Sequence, residues 1–145
     1  MFGLFWSGVT AFPLETELGV AVNICDQLHF VPAGLVDWLR VVHDALVDEN
    51  ARYPFLAYGT DWLAFAHLVL AVLFVGPYRD PVRNKWVLTF GLIACACVPL
   101  LALIAGPVRG IPVYWRLIDC SFGVFGALVL WPAYRIARRL ERDSA

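Results

Sequence analysis

TDWLAFAHLVLAVLFVGPYRDPVRNKW, residues Thr60 to Trp86, decides the fold. From Trp62 to Val75 it carries no charge apart from any protonation of His67. Fourteen residues at ~1.5 Å each cover only ~21 Å of a hydrocarbon layer ~30 Å thick. Gly76 and Pro77 read as a C-cap glycine followed by a residue that cannot continue the helix, so the missing length has to come from Leu56 to Asp61. Asp61 then sits at the membrane boundary with His67 ~9 Å deeper, and both need partners or water.

The composition agrees with a membrane chain. Hydrophobic residues make up 61% and charged ones 16% of 145 residues, well below the roughly 25% charged of a soluble domain. The expectation is one polytopic membrane domain over 1–145. A net charge of −1 carries no signal for nucleic acid, and the expected partners are membrane lipids and other subunits, identical or not. Of 11 basic residues only Lys85 is lysine, which suggests a high-GC bacterial genome. Cys25, Cys95, Cys97 and Cys120 show no CxxC or zinc-type spacing.

Outward from the opening stretch, Trp86 to Ala105 is a twenty-residue apolar run able to span unaided, closed by Gly106 and Pro107. The shared GPYR and GPVR read as a common helix stop rather than an internal duplication. The last span uses Ile111 to about Tyr134, which draws Arg116 and Asp119 inward. Spans are therefore expected at 56–76, 86–106 and 111–135, followed by a tail over 136–145. Residues 1–13 read as a short or truncated first span; the alternative is a re-entrant or interfacial segment.

Residues 14–55 read as an amphipathic two-helix cap. Leu18, Val22, Cys25 and Leu28 share one face, and beyond Pro32 so do Leu35, Leu39, Val42 and Leu46. Asp37, Arg40, Asp44 and Asp48 take the opposite side, with Arg40 and Asp44 spaced as an i, i+4 pair. The turn before Trp86 and the tail hold seven Lys and Arg, against four in the cap and the 106–116 loop. The positive-inside rule then makes the tail cytoplasmic and the cap extracytoplasmic, in a bacterial inner membrane. Tyr58, Trp62, Tyr114 and Trp115 would form the outer aromatic belt, and Tyr78, Trp86, Trp131 and Tyr134 the inner one. The fold class is thus all-α, a small membrane helix bundle with an amphipathic cap.

Lipid gives helices little hydrophobic reason to associate, so small-residue faces must do it. These are Thr60, Ala64, His67 and Ala71; Gly91, Cys95, Ala102 and Gly106; and Arg116, Asp119, Cys120, Gly123 and Ala127. Pro99 frees the Cys95 carbonyl. By depth, Asp119 is expected to accept a hydrogen bond from His67, with Arg116 reaching Asp61. His67, Asp119 and Asp61 are the candidate acid–base group, because a carboxylate can orient an imidazole that titrates near neutrality; the bland alternative is a polar clamp. Arg109, flanked by Pro107 and Gly110, and Arg116 are candidate ligand-binding cations. Arg79, Arg83 and Lys85 face lipid headgroups. Cys25, His29 and His43 form a weak candidate metal set, for which the competing reading is a packed helix face.

One intramembrane histidine cannot supply both axial ligands of a bis-histidine haem, and no cofactor is assigned. The sequence carries no Walker loop, GxSxG, HExxH or dinucleotide fingerprint. Three functions fit: a polar intramembrane pocket doing acid–base or ligand-binding work on a lipid-phase or small substrate, a non-catalytic scaffold subunit, and a small transporter or proton path. The first is slightly favoured because ionisable groups converge at one depth. The third is disfavoured because so few helices leave little room for alternating access.

Overall fold

The computed structural model describes residues 1–28 and 30–143, which are helical with short connections and contain no strand. Three helical stretches are long and apolar enough to cross a membrane: Pro54–Arg79, Lys85–Val108 and Val113–Asp143. The chain is a multi-pass, all-helical membrane protein. It divides into two compact units, Met1–Val72 and Leu73–Ala145.

The first unit begins with α1 (Phe2–Ala11), whose ten residues rise only ~15 Å and do not cross a bilayer by themselves. After Pro13 come α2 (Leu14–Gln27) and α3 (Ala33–Arg52), an antiparallel pair. Val36 and Leu39 are buried on the apolar side of α3, while Asp37, Arg40, Asp44 and Asp48 are exposed, as the sequence pattern requires. The polar contacts tying the pair are a bond from Asn50 Nδ2 to Glu15 Oε2 at 2.6 Å and an ion pair of Arg40 with Asp26. Arg40 therefore turns to the facing helix and to Asp37 at 3.2 Å, not to Asp44. Asp44 lies beside His43 Nδ1 at 3.2 Å instead. The partner across the hairpin wins because i, i+4 pairs stabilise by only ~0.2 to 0.5 kcal/mol.

A short 3-10 turn, Pro54–Leu56, leads into α4 (Ala57–Leu73). Ala64 is fully buried, and a methyl added at Gly8 would lie 2.9 Å from the Ala64 carbonyl and 2.8 Å from Leu68 Cγ. The backbones of α1 and α4 thus meet through small residues, which is how helices approach in lipid.

In the second unit Gly76 and Pro77 do not stop the helix. The break falls earlier, at Phe74, and α5 (Val75–Arg79) carries the chain on. The Pro77 ring collides with the carbonyl four residues back, at Leu73, where α4 ends. Pro77 then lies in the first turn of α5, where its absent N–H would have no helical partner in any case. Asn84 Nδ2 donates to the carbonyls of Gly76 (3.2 Å) and Asp80 (2.9 Å), closing the turn.

Next come α6 (Lys85–Val108) and α7 (Val113–Asp143), an antiparallel hairpin. The second Gly-Pro also lies within helix: α6 runs through Gly106 and Pro107 to Val108. Its terminator is Gly110, at φ 68°, in a Schellman arrangement in which the Ile111 N–H reaches the Gly106 carbonyl (2.9 Å) and the Gly110 N–H the Pro107 carbonyl (3.2 Å). Along the hairpin Gly91 faces Leu130, Cys95 faces Gly126, Pro99 faces Gly123 and Gly106 faces Arg116, so the small-residue faces of the two spans do meet. The tail expected from residue 136 onward continues α7 without a break as far as Asp143.

Candidate functional site

The ionisable residues singled out from sequence fall in both units, and each unit holds its own set. In the first, Asp61 lines a groove of about 280 Å³ with Glu15, Thr16, Glu49, Asn50 and Thr60. The pairing of Glu15 with Asn50 joins the start of α2 to the end of α3, and α4 brings Asp61 to the same rim. Nearly two turns deeper, half-buried His67 has Nδ1 2.7 Å from the Leu63 carbonyl, one turn back in its own helix. The carbonyl can only accept, so Nδ1 is the donor and Nε2 is the ring nitrogen left outside that bond. The ring is oriented by the α4 backbone and needs no carboxylate to hold it.

In the second unit the Arg116 side chain lies across Gly106, where a methyl would come within 2.8 Å of its Cγ. Glycine at 106 leaves room for the guanidinium stem between the helices. Arg116 Nε is buried there without a hydrogen-bond partner among the described residues. Asp119 is half-buried one turn onward and has no hydrogen-bond or ion-pair partner among the described residues. Arg109 is the C-cap of α6: its N–H reaches the carbonyls of Ala105 (3.0 Å) and Gly106 (3.2 Å), while the residue as a whole is exposed.

Of the three residues expected at lipid headgroups, Arg79 and Arg83 are exposed on the turn, with the Arg83 N–H bonded to Asp80 Oδ1 at 2.9 Å. Lys85 is occupied. Its Nζ lies 2.5 and 2.6 Å from the two carboxylate oxygens of Glu141, tying the start of α6 to the end of α7. Sequence reasoning missed this pair because it joins residues 56 positions apart and depends on the register of two helices.

For the weak metal set, His29 lies outside the described residues. His43 Nε2 is turned toward Gly19, 3.2 Å from where a methyl would stand, and Cys25 is a half-buried free thiol on α2. Among the described residues no three His, Cys, Asp or Glu side chains converge closely enough to hold a metal ion. Cys95 packs its sulfur against Gly126. The tail arginines Arg135, Arg138, Arg139 and Arg142, which the sequence offers only as charge that sets topology, share a groove with Trp131 and Tyr134; their spacing of three and four is the signal that puts them on one face. Compared with protein-family models, curated proteins and solved structures, the chain matches none.

Proposed function

We propose that this chain is a non-catalytic subunit of a membrane assembly, a homo-oligomer or a larger complex. We place it in a bacterial cytoplasmic membrane with residues 14–55 outside and the C-terminus inside. The observation that carries the reading is Arg116, whose Nε is shut away from solvent without an acceptor, while Asp119, one turn on, also lacks a partner among the described residues. A buried unmet donor costs ~1 to 3 kcal/mol. Such groups are kept in spans when something else meets them, and polar side chains joining helices of neighbouring subunits do that.

The test is replacement of Arg116 by Met, which keeps length and removes the charge, alongside Asp119→Asn. Native electrophoresis of mild-detergent extracts is expected to show a wild-type species larger than the monomer. Both variants should accumulate to normal folded yield but migrate as monomers. A monomeric wild type, or variants that assemble normally, would overturn the reading.

A second reading rests on His67. With Nδ1 held by Leu63, its Nε2 is a base of fixed direction on a half-buried ring, as acid–base or ligand-binding work at an intramembrane pocket requires. His67→Gln separates the two. Normal yield and assembly with a lost cellular phenotype supports chemistry at His67, and an unchanged phenotype removes it.

A further inference from the structure

The geometry points to a binding site on the C-terminal part of α7 for the phosphate headgroup of an acidic membrane lipid. Trp131, Tyr134, Arg135, Arg138, Arg139 and Arg142 line one open groove of about 290 Å³. All six come from a single helix at steps of three and four, so the four guanidinium groups form one ladder rising ~10 Å. None of these arginines makes an ion pair among the described residues. Glu141, the acid interleaved with them, is bound by Lys85 from the other arm of the hairpin, which leaves the local charge strongly positive. Asp143 stands outside the groove.

A lipid, rather than a soluble anion, is indicated by what adjoins the ladder. The Trp131 and Tyr134 rings stack with centroids 6.1 Å apart and planes at 28°, forming an amphipathic wall of the kind that settles at the glycerol level. Directly above, Leu128 and Val129 are 64% and 73% exposed on the membrane-crossing part of the same helix. Acyl chains can lie along those residues while the phosphate descends past the aromatic wall to the guanidinium forks, which match phosphate oxygens in bidentate fashion. The proposal is independent of the subunit reading, since it uses no residue of that argument.

The full chain, reconstituted in nanodiscs of phosphatidylcholine with or without phosphatidylglycerol, is released into the gas phase, and its retained lipids are counted by native mass spectrometry. Phosphatidylglycerol should be retained in preference to phosphatidylcholine. The double variant R138Q/R139Q should hold it roughly 30-fold more weakly, from ~1 kcal/mol per basic residue near the surface. R138K/R139K, which keeps both charges, should retain most of the preference. Equal retention of the two lipids, undiminished retention by the glutamine variant, or equal loss in the lysine variant would overturn the proposal. So would displacement of the lipid by inorganic phosphate at matched concentration, which would mark a soluble-anion site.

Discussion

Pro99 removes one backbone donor from α6 and leaves the Cys95 carbonyl without its helical partner. Gly123 of α7 answers it: a methyl there would lie 2.5 Å from that oxygen and 3.2 Å from Pro99 Cδ, so the glycine backbone is pressed onto the interruption. So close an approach lets the Gly123 Cα–H face that carbonyl, a weak contact of ~0.5 to 1 kcal/mol where lipid cannot solvate the oxygen. Gly123→Ala must therefore part the helices, and we expect a loss of ~1 to 3 kcal/mol, read as a lowered melting temperature in detergent. Gly126→Ala should cost less. Its methyl meets the Cys95 sulfur at 2.7 Å, a side-chain atom that can rotate away, whereas the oxygen at Gly123 is backbone. Equal melting temperatures for Gly123→Ala and the wild type would remove the close approach as a source of stability.

At the scale of elements, helix ends separate what composition tells from what geometry decides. Gly106 with Pro107 has the residue types of a terminator, yet Gly110 is the glycine with positive φ and the one that closes the Schellman motif. Gly110→Ala should cost ~1 to 2 kcal/mol, the strain of a left-handed L-residue, and should raise amide exchange at Ile111 before any global unfolding. The apolar faces of α2, α3, α6 and α7 were legible because periodicity fixes which side chains share a side. The ends were not legible, because a glycine's φ depends on where the chain must go next. Pairings across elements are equally hidden: spacing offers Arg40 to Asp44 where the fold gives it Asp26, and no spacing joins Lys85 to Glu141. Lys85 and Glu141 are 32% and 42% exposed, so a double-mutant cycle with Lys85→Met and Glu141→Gln should yield a coupling of no more than ~1 kcal/mol, weakened by salt.

For the whole molecule, the segregation of charge makes orientation the quantity to measure. The arginines of α7 and the turn at Arg79 to Lys85 outnumber the basic residues of α3 and of the loop at Arg109, and loop Lys and Arg bias, rather than net charge, sets which side is retained in the cytoplasm. Arg52 closes α3 with its side chain 67% exposed, in a solvent-facing pair with Asp48 at 2.8 Å, and offers trypsin a site on the outer side of the proposed topology. Intact spheroplasts treated with trypsin should therefore yield a fragment cut near Arg52, while a green fluorescent protein fused after Ala145 stays attached to the α7 fragment and fluorescent. Lysis should expose Arg138, Arg139 and Arg142 and release the fused protein. Cleavage in the reverse order, at the α7 arginines first, would invert the orientation and move the proposed lipid site to the opposite leaflet, where acidic phospholipid would have to be sought instead.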